Sequence, residues 1–483
     1  MGLIDSLKSR GWISPIVHLS SNWVSLAGVV TVTTATIFWL FLLPTTLRGE
    51  AQNPYIGILS YLALPAVFFL GLFLIPLGIA WRYRGELRRG QYPSSFPPLT
   101  MKNAKLRRLV TFVGVTTFAN LVIASQLTYG AVMYMEKVSF CGQTCHVMEP
   151  EFTAFQSSPH SRVECVNCHI GSGASWFVRS KLSGAGQVLA VVFNSYPRPI
   201  PTPVHNLRPA RETCETCHWP QKYAEDRLRV FPKFAEDEAN TLTKTVMMVK
   251  VGGGNHGVGI HGTHLGQGVR IRYAHSDESR QTIPWVEYND DNTGRKTTYM
   301  APGAKPDAAG LPVREMDCMD CHNRPSHQYE LPERAVDNAM YGGTISRSLP
   351  FAKKTSLAIL KQAYPSRAEA AVRIPAAFEK YYRESHSAIY AQQGAEVVRS
   401  AQGVLAIYNR NIFPDMNVTW GLYPSNVGHT DFPGCFRCHD DQHVSADKKT
   451  IGQDCSSCHN VLAVDEPAPK ILTDLGLDTA AAK

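Results

Sequence analysis

The chain has 483 residues, 44% of them hydrophobic and 18% charged, with a formal net charge of +8. Residues 1–138 hold 12 Lys and Arg against 4 Asp and Glu, whereas residues 139–483 hold 36 of each. The length allows two or more domains, and the balanced charge beyond residue 138 excludes a basic nucleic-acid surface there.

Three apolar runs come first. Residues 24–43 and 58–80 are uncharged and long enough to span a hydrocarbon core. The third, 109–131, is also uncharged but contains Asn120 and Gln126, which suit hydrogen bonds between helices. Residues 81–108 carry Arg82, Arg84, Arg88, Arg89, Lys102, Lys105, Arg107 and Arg108 against Glu86 alone. The positive-inside rule puts that loop and the N-terminus in the cytoplasm and everything after about residue 135 outside. Residues 1–135 thus read as a multi-pass anchor in a bacterial inner membrane. Its only histidine, His18, reads as a residue of the cytoplasmic edge.

All 12 cysteines follow, in six close pairs, and a histidine comes directly after every pair. Five pairs have the spacing C-x-x-C-H: Cys165 and Cys168, Cys214 and Cys217, Cys318 and Cys321, Cys435 and Cys438, Cys455 and Cys458. That is the attachment pattern of a c-type haem. Two thiols add across the vinyl groups of one haem, which holds the next side chain beneath the iron. A zinc ribbon needs two pairs on one tetrahedral centre and no histidine after each, and disulfides leave the recurring histidine unexplained. The expectation is six covalent haems, with His169, His218, His322, His439 and His459 as proximal ligands. The first motif, CGQTCHVM, has three residues between Cys141 and Cys145. There His146 and Met148 are alternative ligands.

Sixth ligands must come from elsewhere in the chain. The candidates in compact settings beside a motif are His160, His205, His327, His429 and His443. In GIHGTH, His261 and His264 compete for a further place, with His264 preferred; His256, His275 and His386 read as bystanders. Bis-histidine ligation favours low potential and methionine raises it. The motifs divide the outer part into 136–220 with three motifs, a β-rich insert at 221–316 with a DNTG turn, and 317–483 with three more motifs around a helical stretch. The fold class is a membrane-anchored multihaem cytochrome c: three N-terminal transmembrane helices, then a largely helical and irregular haem-packed periplasmic domain.

The stretch CGQTCHVMEPEFTAFQSSPHSRVECVNCHIG, directly after the third apolar run, resembles the NapC/NirT family of membrane-anchored multihaem quinol dehydrogenases. The resemblance implies that Cys141, Cys145, His146 and Met148 hold a first haem at the membrane surface beside a quinol pocket. It also implies that Lys181, in WFVRSKLSGAGQV, lies near that haem and the quinol. The acidic residue that some members carry about two turns after the lysine is replaced by the neighbourhood of Gln187 and Val188, so Glu149 or Glu151 is the candidate proton acceptor. Two departures stand out: three apolar runs where members have one membrane helix, and the extra residue in the first motif. The implied function is oxidation of a membrane quinol, menaquinol or ubiquinol, at the first haem, with electrons passed to a periplasmic cytochrome or reductase. The alternative is an electron-transfer subunit docked on a larger membrane complex that holds the quinone site.

Overall fold

The computed structural model describes residues 13–47, 62–94, 104–144, 146–171, 173–204, 207–219, 225–253, 257–304 and 310–477. The chain divides into two compact units, Met1–His146 and Val147–Lys483, so the division falls inside the segment of the first cysteine motif.

The first unit contains helices α1 (Ile13–Ser20), α2 (Trp23–Leu47), α3 (Leu64–Arg88) and α4 (Ala104–Glu136). Among the described residues, α3 is the helix long and apolar enough to cross a membrane, with a mean hydropathy of 2.2, and Trp23–Trp39 is a shorter apolar helix. Helices α2 and α3 approach closely at glycines: a Cβ on Gly28 would stand 2.8 Å from the Gly71 carbonyl oxygen. The basic segment 81–108 is more helical than its loop reading, because Arg82, Arg84 and Arg88 extend α3 and Lys105, Arg107 and Arg108 belong to α4. His18 Nε2 lies 2.9 Å from Glu86, which also accepts from Arg82 Nε at 2.7 Å.

The second unit opens with α5 (Glu149–Gln156) and α6 (Ala174–Val192). Strands β1 (Arg227–Phe234) and β2 (Leu242–Val249) follow, then α7 (Gly259–Leu265) and strands β3 (Val269–Ala274), β4 (Trp285–Asp290), β5 (Arg295–Met300) and β6 (Val313–Glu315). The β4–β5 hairpin turns at the DNTG sequence, where Asp290 accepts from the Asn292 amide and the Thr293 hydroxyl and Gly294 takes a positive φ of 66°. Each of the two sheets these strands form gains an edge strand from the C-terminal part of the chain. Strand β8 (His459–Glu466) pairs with β2 to complete the order β1-β2-β8, and β7 (Val444–Ser445) closes the order β6-β3-β4-β5-β7. The C-terminal cysteine motifs are thereby tied to the β segment by backbone hydrogen bonds.

Between the β segment and the last motifs lie α8 (Pro332–Tyr341), α9 (Ala352–Leu360), α10 (Arg367–Ser385) and α11 (Ser387–Asn411). In α10 the fourfold spacing of Ala370, Ile374, Phe378 and Tyr382 makes one face, all of it buried, while Glu369 and Arg373 pair on the other side. That face meets Val397, Ala401, Val404 and Tyr408 of α11 in the main hydrophobic cluster, which also takes in Phe234 of β1. Phe378→Ala should therefore cost about 3–5 kcal/mol of stability, read as a lower denaturant midpoint of the intact protein by circular dichroism.

Candidate functional site: histidine pairs at the cysteine motifs

A C-x-x-C-H sequence can hold one planar group only if both sulfurs leave the same side of a single turn. The second and sixth motifs form one-turn helices at Cys165–His169 and Cys455–Cys458, and the fourth does so at Cys318–Cys321. Asp317 caps the fourth, accepting from the Met319 amide at 2.8 Å, and Asp454 caps the sixth. In the third, fourth and fifth motifs the histidine amide donates to the carbonyl of the first cysteine, at 2.8, 2.8 and 3.1 Å. That bond turns the histidine back under its own pair.

Each of these five histidines faces a second histidine from elsewhere in the chain. The ring centroids are 6.2 Å apart for His169 and His327, 5.8 Å for His218 and His160, and 6.3 Å for His322 and His261. They are 5.8 Å apart for His439 and His264, and 6.2 Å for His459 and His429. Two metal–nitrogen bonds of about 2 Å, with about 1 Å more from each nitrogen to its ring centre, require a separation of roughly 6 Å. The pairs therefore fit a haem iron between them. Among the described residues, no three His, Cys, Asp or Glu side chains converge as a zinc site requires.

The second ring nitrogen strengthens the assignment. Nδ1 of His327 lies 2.9 Å from the Glu151 carbonyl, that of His264 2.7 Å from the Ile260 carbonyl, and that of His439 3.0 Å from the Gly452 carbonyl. His160 and His261 make longer contacts, 3.3 Å to the Pro325 carbonyl and 3.4 Å to the Gly252 carbonyl. A carbonyl accepts only, so the proton sits on Nδ1 and Nε2 keeps its lone pair for a metal. Burial lowers the pKa of His169, His264, His322 and His327, which keeps those rings neutral.

His443 is a correction to the candidate ligands. It is 2% exposed, its Nδ1 is 2.9 Å from Asp440 and its Nε2 is 2.8 Å from the Ile283 carbonyl, so both nitrogens face protein oxygens instead of a motif histidine. The residue passed over is His261. His261 and His264 do not compete, because the short helix α7 sends them to different partners, His322 and His439. Glycines make this possible: a Cβ on Gly259 (φ +64°) would lie 2.6 Å from the Gly252 backbone, and one on Gly266 would lie 2.2 Å from the Gly262 carbonyl oxygen. The GIHGTH spacing of three was the available signal, since positions three apart share a helical face.

The motifs also succeed one another in space. Cys168 neighbours Cys217, Cys214 neighbours Cys318, and Cys435 neighbours both Cys321 and Cys458. Motifs two to six thus form a series in chain order. Between the fourth and fifth, Arg437 of CFRCH donates to the carbonyls of Asp320 and Arg280 at 2.6 and 2.8 Å. The Asp320 carboxylate, in CMDCH, is buried against Arg280 at 3.1 Å and Arg314 at 2.9 Å. Nothing in the motif pattern marks these two positions.

At the first motif, Cys141 lies in a wide turn at Phe140–Thr144 and Met148 stands half-buried at the start of α5. Cys145 and His205 lie outside the described residues, as does the side chain of His146. Lys181 is half-buried on α6. Glu149 is exposed and paired with Arg367, whereas Glu151 is held by Arg324 at 3.2 Å.

Histidine pairs, each beside a cysteine pair, suit a c-type cytochrome with covalently bound haem, acting in electron transport. A model of the NapC/NirT cytochrome c family, N-terminal region, matches residues 102–199. The cytochrome c-type protein ImcH of Geobacter sulfurreducens is 40% identical over 451 residues, covering 91% of this chain and 88% of the relative. The cytochrome c-type protein NrfH of Wolinella succinogenes is 28% identical over 114 residues, 23% of this chain and 62% of the relative. No solved structure matches the chain. The chain belongs to the NapC/NirT cytochrome c family of membrane-anchored proteins.

His264→Ala should abolish one low-spin bis-histidine signal in electron paramagnetic resonance, while His443→Ala leaves every such signal in place. Gly259→Ala should disturb two signals together, because α7 serves two irons.

Proposed function

We propose that the protein is a hexahaem quinol dehydrogenase of the cytoplasmic membrane, taking electrons from menaquinol at the first motif and delivering them to a periplasmic acceptor. The observation that carries this reading is the series of five histidine pairs running in chain order from a motif that follows α4 by five residues. When bound, haem supplies one-electron redox chemistry, and closely spaced haems link quinol to acceptor. The cysteines anchor each haem. The axial pairs hold His169 with His327, His218 with His160, His322 with His261, His439 with His264 and His459 with His429. Low-spin, six-coordinate sites leave no open position for a substrate, which disfavours a reductase of nitrite or hydroxylamine.

In this reading three membrane helices hold the N-terminus in the cytoplasm and the second unit in the periplasm. Met148 or His146 completes the first site, and Lys181 orients a quinol oxygen by donating a hydrogen bond. A quinol releases two protons with its two electrons, and Glu149, paired with Arg367 but open to water, is the acceptor with a route to solvent, whereas the Glu151 carboxylate is enclosed against Arg324. A second reading, that of an electron-carrying subunit in a larger membrane complex, is supported by Gln126, which stands exposed on α4 and could face a partner helix.

The test is anaerobic mixing of the detergent-purified protein with a reduced menaquinol analogue, followed by the haem absorbance bands. Rapid reduction, slowed at least tenfold in Lys181→Ala and in Met148→Ala, is the expected result. Full reduction by dithionite with none by the quinol would put the quinone site in another subunit.

A further inference from the structure

The carboxylate of Glu151 has a position that the quinol reaction does not use. Its side chain is 13% exposed, and Oε2 lies 3.3 Å from Nδ1 of His327, the same nitrogen that donates to the Glu151 carbonyl at 2.9 Å. Arg324 keeps the carboxylate there. Its Nη2 is 3.2 Å from both oxygens, its Nε donates to the His327 carbonyl at 2.6 Å, and its guanidinium lies 4.0 Å from the centre of the Tyr423 ring. Arg324 is itself 8% exposed, so the group is enclosed on several sides. The partners of Nδ1 in His160, His261, His264 and His439 are neutral carbonyls.

A carboxylate beside Nδ1–H makes the imidazole more basic at Nε2 and adds negative charge close to the metal. Both effects favour the ferric over the ferrous state. We propose that Glu151 is a positioning residue that lowers the potential of the haem held by His169 and His327, acting through His327. Arg324 orients the carboxylate and partly offsets its charge. The inference rests on the reading that this pair holds one haem. Because Glu151 lies three residues after Met148 on α5, the helix that leaves the first motif also bears on the second haem.

The test is a spectropotentiometric titration of the full-length holoprotein in detergent, with electron paramagnetic resonance of the oxidised form. Glu151→Gln should move one transition to higher potential, change the g-values of one low-spin signal and leave the others in place, and Glu151→Asp should restore part of the shift. Since Glu151→Gln leaves Arg324 buried without a counter-charge, the double variant Glu151→Gln, Arg324→Met keeps the test valid if the single one folds poorly. It should show an upward shift smaller than the single variant's, because the offsetting charge of Arg324 is lost with the carboxylate. Transitions and g-values that coincide with the wild type in both variants would overturn the proposal. His327→Met separates the two levels. A lost low-spin signal there with no shift in the Glu151 variants defeats the tuning alone, whereas unchanged signals in His327→Met defeat the pairing on which it rests.

Discussion

Around the cysteine motifs of the larger unit, the arrangement turns on holding two imidazole rings about 6 Å apart, five times over. One ring of each pair is placed locally, by the turn that a cysteine pair and its histidine make. The other must be carried in from a distant segment and held by something that does not compete for Nε2. Backbone carbonyls serve that purpose at His160, His261, His264 and His327, and another holds the local ring of His439. An acceptor that cannot donate fixes the proton on Nδ1 and stops the ring from turning.

This requirement explains why irregular segments and small strands dominate around the motifs while the regular helical core stands apart at α8–α11. That core needs no haem to fill it: Phe378, Tyr382 and Tyr408 pack against one another's neighbours in a continuous apolar cluster. Around the motifs, by contrast, the contacts between protein segments are polar and specific. The buried Asp320 carboxylate satisfies Arg280, Arg314 and the Tyr273 hydroxyl, and Arg437 ties the fourth motif to the fifth through backbone carbonyls. A buried carboxylate is tolerable only with such partners, and the same bonds set how far apart the two motifs stand.

Membership of the NapC/NirT family, the anchor and the tuned second haem fit one arrangement. Helix α5 begins at the methionine beside the first cysteine motif, and one turn later it supplies the carbonyl and the carboxylate that meet His327. One short helix thus runs from Met148 to the partner of His169, just as α7 carries the histidines that face those of the fourth and fifth motifs.

The sequence by itself determined the attachment chemistry, because the C-x-x-C-H spacing is a local property: the sulfurs and the proximal ring belong to one turn, whatever the rest of the fold does. Apolar runs and the basic segment after the second of them were equally legible, since hydropathy and charge need no tertiary contact. The choice of sixth ligand was not. His169 and His327 are 158 positions apart, and His459 reaches back to His429 across another motif. Only the fold decides such meetings. His443 looks as suitable in sequence as His327, yet a neighbouring aspartate and the carbonyl of distant Ile283 take both its nitrogens. His261 and His264 looked like rivals, yet a glycine-lined helix gives each its own partner histidine. Ligation depends on which nitrogen is left free, and that is set by the tertiary neighbours of the ring.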